Sequence, residues 1–118
     1  MTDTYKITGK QFHTRGEIFR IDINGSVIEI LFTRHALERI KQWEIPSESV
    51  TESLLLPEEV VAGHRGRFIA HKRYGDHLIR AVYEYDVTLP VVITVYYPRW
   101  DRYFEGGEKY ADKIFQGI

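Results

Sequence analysis

The residue types best suited to chemistry lie in the stretch "RGRFIAHKRYGDHLIRAVYEYD". A two-residue turn at Gly75-Asp76 would fold it into a β-hairpin. Tyr74 then opposes His77, Lys72 opposes Ile79, Ala70 opposes Ala81 and Phe68 opposes Tyr83. That face is mostly apolar. The other face pairs His71 with Arg80, Ile69 with Val82 and Arg67 with Glu84. Strand parity adds Thr94 and Tyr96 from "PVVITVYY" to the Arg80 face and leaves Val91, Ile93 and Val95 for the core. One sheet face therefore gathers Arg67, His71, Arg73, Arg80, Thr94 and Tyr96. Such a set suits a phosphate. Arginine offers a bidentate fork to phosphate oxygens, histidine moves a proton near neutral pH, and tyrosine donates a hydrogen bond or stacks on a base. The plainer reading is a solvated polar face in which Arg67 and Glu84 form a cross-strand ion pair.

A second pair stands in "FTRHALERIKQW", where His35 and Arg39 are one helical turn apart. His35 falls in the first turn, where the helix dipole disfavours an imidazolium, so a neutral base fits there. The structural alternative packs His35 on the sheet and pairs Arg39 with a carboxylate such as Glu38 or Glu59. The five histidines show no HxxxH or HxH pattern on one periodic face. No metal and no cofactor is expected, and there is neither a glycine-rich phosphate loop nor a GxSxG elbow.

Several elements must position these groups. Residues 1–15 are polar and aperiodic and read as a tail or arm. In "EIFRIDINGSVIEILF", two alternating runs flank Asn24-Gly25, predicting a hairpin over 16–32 that pairs Ile21 with Ile28, Phe19 with Ile30 and Arg20 with Glu29. Thr33 is placed to cap a helix whose apolar stripe is Ala36, Leu37, Ile40 and Trp43. Pro46 breaks it. A second short helix follows, capped by Ser47 or Ser49, with Ser49 and Glu52 spaced as a capping box, and it stops before Pro57. The remaining segments to residue 98 read as strands. The extension 99–118 is broken at Gly106-Gly107 and admits a short helix from Lys109 to Phe115. The result is one α+β domain, with a two-helix hairpin on one face of a mainly antiparallel sheet.

The 118 residues suffice for one core, and 43% hydrophobic with 28% charged is ordinary globular composition. The absence of cysteine excludes disulfides, thiolate zinc sites and cysteine nucleophiles. No apolar run reaches membrane-spanning length and no signal-peptide pattern opens the chain, so a cytoplasmic protein is expected. The net charge of -1 argues against bulk electrostatic binding of nucleic acid. It conceals an acidic stretch from Glu44 to Glu59 and a basic one from Arg65 to Arg80.

Taken together, "RHALERIKQWEIPSESVTESLLLPEEVV", "GRFIAHKRYGDHLIRAVYEYD" and "VVITVYY" resemble a family of small prokaryotic domains of unassigned function. Its pattern is a His-Ala-x-x-Arg helix, a second helix ending in Pro-x-x-Val, a basic strand, a Val-Tyr strand and a terminal Val-x-Thr-x-Tyr strand. That family is grouped with the RelE/ParE-like and barnase-like fold, which includes RNA-cleaving toxins of toxin–antitoxin pairs. The resemblance implies a RelE-like core over 33–98 and singles out His35, Arg39, Arg80, Thr94 and Tyr96. It departs from those toxins in its near-neutral charge and its N-terminal hairpin.

The expectation is a toxin-like, metal-independent endoribonuclease that cleaves RNA by 2′-OH attack. His35, Arg39, His71, Arg80 and Tyr96 are the catalytic candidates. Arg65, Arg67, Lys72, Arg73 and Thr94 are the RNA-binding candidates. RNA, ribosome-associated or free, and an antitoxin protein would be its partners. The alternative is a non-catalytic RNA- or protein-binding module of the same fold. A third reading is a homodimer built through an exposed edge strand.

Overall fold

A computed structural model describes residues 4–116. Strands β1 (Tyr5–His13), β2 (Gly16–Ile23) and β3 (Ser26–Thr33) precede helices α1 (Arg34–Trp43) and α2 (Ser47–Leu55). Strands β4 (Glu59–Ala62), β5 (Phe68–Tyr74), β6 (His77–Asp86) and β7 (Leu89–Tyr96) follow, then a 3-10 turn at Trp100–Arg102. The seven strands form one sheet in the order β1-β2-β3-β7-β6-β5-β4. Every pair is antiparallel except β3–β7. This is an α+β fold with two helices packed on a mixed sheet.

Both predicted hairpins form in the expected register. Ile21 pairs with Ile28, Phe19 with Ile30 and Arg20 with Glu29. The turn residues Asn24 and Gly25 have φ of 49° and 84°, the positive pair that a tight two-residue hairpin turn requires. In the second hairpin, Tyr74 pairs with His77, Ala70 with Ala81 and His71 with Arg80. Alternation on these strands sends Phe19, Ile21, Ile30, Ala70, Ile79 and Ala81 into the core under the helices.

Thr33 joins three elements. Its side chain caps α1 by accepting the Ala36 N–H at 3.2 Å, and its hydroxyl faces the Val92 and Ile93 carbonyls at 2.9 and 3.2 Å. The cap is the one expected from the sequence. The cap of α2 is not: the helix starts at Ser47 with Pro46 before it and no side-chain capping bond, so neither Ser47 nor Ser49 serves. Proline at the entry presets φ near the helical value.

Three further expectations change. Residues 5–13, expected within a tail or arm, form β1 on the outer edge of β2, with a bulge between Ile7 and Gly9; residues 1–3 lie outside the described residues. The register of β6 on β7 slips between Val82 and Tyr83, which leaves Ile93 as an extra residue. Val92 consequently joins the buried residues; Val91 and Val95 are buried as expected, whereas Ile93 is only partly buried. The C-terminal segment has no helix over Lys109 to Phe115. It runs instead as an irregular strap. The amide of Leu78 donates to the Pro98 carbonyl (2.8 Å), that of Trp100 to Asp76 (3.1 Å) and that of Glu108 to Glu58 (2.9 Å). Val60 then bonds Lys109 and Ala111 at 2.9 Å each, so the strap rounds the β4 edge. Asp112 accepts the Tyr83 and Tyr85 hydroxyls, and Phe115 ends in the core.

Gly16 sets the geometry where β1 turns into β2. A Cβ there would lie 1.9 Å from the Phe32 carbonyl oxygen. Gly16→Ala should therefore lower stability by about 2–3 kcal/mol in urea unfolding. Gly9→Ala, whose Cβ would meet open space, should stay within about 0.5 kcal/mol.

Candidate functional site

Pairing of β4 with β5 and of β5 with β6 lines up Glu59, His71 and Arg80 across three neighbouring strands. His71 Nδ1 lies 2.6 Å from Glu59 Oε2, and Arg80 Nη1 lies 3.2 Å from His71 Nε2. Glu59 and His71 are both fully buried. The strap completes the carboxylate's shell: the Glu105 amide donates to Oε2 at 2.9 Å and the Gly107 amide to Oε1 at 2.8 Å.

Electrostatics assigns the protons. Burial pushes the Glu59 carboxyl up, but the hydrogen bonds from His71 and the two strap amides outweigh it and hold it below the usual carboxylate value. Burial pulls the His71 imidazole below its ordinary value, helped by the Arg80 charge and opposed by Glu59. The consistent arrangement is an ionised Glu59 and a neutral His71 that donates from Nδ1 and accepts the Arg80 N–H at Nε2. Burial also lowers the Arg80 value, yet a guanidinium remains a cation at neutral pH.

Arg80 emerges into a cleft of about 470 Å³, lined by Trp43, Arg80, Tyr96, Tyr97, Pro98, Arg102 and Tyr103. The Arg80 guanidinium carbon lies 3.9 Å from the centroid of the Tyr103 ring. Tyr97 stacks on His77 at 4.6 Å, and the Trp43 indole N–H donates to the Val95 carbonyl at 3.1 Å. One cleft thus combines two guanidinium groups with four aromatic side chains.

The sequence-derived candidates separate on the structure. Arg80 and Tyr96 share the cleft, as strand parity predicts. His71 is on the predicted face and bonded to Arg80, but it is closed to solvent. Thr94 is also buried, its hydroxyl without a hydrogen-bond partner. Arg67 is held by Glu84 at 2.8 Å, the plainer reading of that pair. Arg73 pins the strap, lying 4.8 Å over Trp100 and 5.1 Å over Phe104, with Glu58 accepting its amide. Lys72 points to the helix side, where its Nζ donates to the Leu56 carbonyl. Arg65 is exposed in the β4–β5 loop.

His35 is exposed on the first turn of α1, and neither it nor Arg39 lines the cleft. Arg39 bonds Gln42 at 2.9 Å rather than Glu38 or Glu59, and its buried Nε has no partner. It is the C-terminal end of α1 that reaches the site, through Trp43, two turns beyond His35. Glu59, Trp43, Tyr97, Arg102 and Tyr103 were not among the sequence candidates. Trp43 was legible only as part of an apolar stripe, and Glu59 needed the β4 register. Among the described residues no group of three or more His, Cys, Asp or Glu side chains is arranged to hold a metal ion. No described helix is long and apolar enough to cross a membrane.

The arrangement defines a class: a small α+β domain with a buried Glu-His-Arg network under an arginine- and aromatic-lined cleft. The chain belongs to the family described as Domain of unknown function (DUF4258), whose model matches residues 32–97. That span includes α1, α2, Glu59, His71, Arg80 and Tyr96, and ends before Arg102, Tyr103 and the strap. No curated protein and no solved structure matches the chain.

The buried imidazole sets a pH dependence. With its folded value below the ordinary 6.5, His71 binds a proton more readily in the unfolded chain. Its stabilisation is fully present above pH 6.5 and is lost as the pH falls toward the folded value. Urea midpoints should fall between about pH 7.5 and 5.5, and His71→Gln should flatten that slope. Glu59, held below 4.5, adds a separate loss only at more acid pH.

Proposed function

We propose that this domain is a toxin-like endoribonuclease that takes single-stranded RNA in the Arg80 cleft and cleaves it without a metal. The observation that carries the reading is the cleft lining, in which Arg80 and Arg102 lie among Trp43, Tyr96, Tyr97 and Tyr103. Guanidinium groups suit phosphate oxygens, and the rings suit bases of an unpaired strand. The volume of about 470 Å³ is adequate for a nucleotide-sized group. A two-helix α+β sheet domain is consistent with the RelE/ParE-like grouping that the sequence motifs suggest. RNA and a restraining antitoxin protein are the partners that this reading brings with it.

In the reaction a ribose 2′-oxygen attacks the adjacent phosphorus and the bond to the 5′-oxygen breaks. The products are a 2′,3′-cyclic phosphate and a free 5′-hydroxyl. Arg80 faces the charge that builds on the phosphorane. Tyr96, 43% exposed in the cleft, has a proton to give the leaving oxygen. His35, outside the cleft and two helical turns from Trp43, does not reach the phosphate that Arg80 holds, so the 2′ proton passes to water in the open cleft.

The second reading is a non-catalytic RNA-binding module. It is favoured by one specific observation: the imidazole beside Arg80 has both ring nitrogens engaged and no exposure. One assay separates the two. Purified protein is incubated with short fluorescent single-stranded RNA, with and without EDTA. EDTA-resistant products ending in 2′,3′-cyclic phosphate are expected, with Arg80→Ala reducing cleavage by about 100-fold or more. Arg20→Ala, whose ion pair with Glu29 lies on the β2–β3 hairpin, should cleave as wild type does. Binding of intact RNA selects the second reading, and absence of both binding and cleavage overturns the two together.

A further inference from the structure

We infer that Glu59 and His71 are positioning residues: a buried carboxylate–imidazole pair aims the Arg80 guanidinium into the cleft while leaving its charge available to a bound anion. The functional part of this inference rests on the proposed role of Arg80 in holding phosphate.

The chain of contacts runs one way. Glu59 Oε2 accepts from His71 Nδ1 at 2.6 Å, so the remaining lone pair at Nε2 meets Arg80 Nη1 at 3.2 Å. A carboxylate placed directly on Arg80 would also fix it. It would neutralise it as well, and a phosphate would have to displace that partner. Inserting a neutral imidazole moves the negative charge one side chain back. Arg80 is then held at a single N–H, and the Tyr103 ring at 3.9 Å fixes the plane of the fork. Among the described residues the guanidinium has no hydrogen-bond acceptor other than His71 Nε2, so its remaining N–H groups have no protein partner to give up.

The same carboxylate also holds the roof. Glu59 accepts the amides of Glu105 and Gly107, and the strap that carries them carries Arg102 and Tyr103 into the cleft wall. One buried group thus sets both the Arg80 direction and the position of the wall facing it. A purely structural hydrogen-bonded pair would need no cation at its outer end. Here the outer end is the one member of the network that lines the cleft.

Two substitutions separate aiming from packing. The amide of His71→Asn can still donate to Glu59 but does not reach Arg80. The longer His71→Gln can present an oxygen near the Nε2 position. Binding of a short fluorescent single-stranded RNA should fall about tenfold or more in His71→Asn and recover toward wild type in His71→Gln, with similar urea midpoints for both variants. The independent readout is guanidinium NMR. The Arg80 side-chain signals should show hindered rotation and slow exchange in wild type and His71→Gln, and lose both in His71→Asn. Equal Arg80 signals in wild type and His71→Asn overturn the inference. So does free exchange at Arg80 in the unaltered protein, with exposed Arg102 as the reference, and that arm needs no variant to fold. If the NMR contrast holds while no form binds RNA, Arg80 positioning stands and the RNA reading fails.

Discussion

A carboxylate removed from water inside a domain this small has to be satisfied on every side, and Glu59 is. Leaving such a charge buried without partners costs several kcal/mol. Its two oxygens instead take the His71 ring and two backbone amides of the C-terminal strap. These contacts tie β4 to β5 and both to a segment with no regular structure of its own. Without that anchor the strap would hold to the polar face through the Arg73 contacts with Trp100 and Phe104, the Arg80 contact with Tyr103 and backbone bonds at the β6 and β4 ends. The cleft depends on the strap, and the strap depends on the buried charge.

The two edges of the sheet are treated differently. The β4 edge is covered by backbone bonds to residues 109 and 111, and the strap then turns under the sheet to Asp112 and Phe115. The outer edge of β1 carries no such cover among the described residues. It is broken by the bulge near Thr8 and carries Lys6 and Lys10, features that discourage edge-to-edge pairing. The fold thus directs its covering segment to the side where the polar network lies.

Local pairing was legible in the sequence because two-residue turns impose register and alternation then sorts the faces. That reasoning placed His71 opposite Arg80 and Tyr96 beside it, and it located Thr33 as a helix cap. It missed β1, because an edge strand with one exposed side has little apolar alternation to display. On β7 it placed Val91 and Val95 correctly but put Ile93 in the core and missed Val92, because a bulge at Ile93 inverts parity and leaves no mark in composition. The site was half legible for the same reason. Arg80 lies on a hairpin with a two-residue turn, whereas Glu59 arrives across the longer β4–β5 loop, which does not fix register by itself, and Tyr103 through an aperiodic crossing. His35 and Arg39 stood out by spacing alone. The residue of that helix that enters the cleft is Trp43, whose apolar position suggested core.

The strap also sets an order in time. A nascent chain synthesised as far as β6 holds Arg80 and His71, but not the rings and second guanidinium from residues 96–103. The β3–β7 pairing likewise joins segments some sixty residues apart, as Leu31 on Val91, and must wait for the later strand. Cleft, central strand pair and buried anchor are therefore completed together, once residues 91–107 have been made. Shorter nascent chains carry the arginine without its binding surface, so whatever this cleft does to its ligand starts only after the strap has been made.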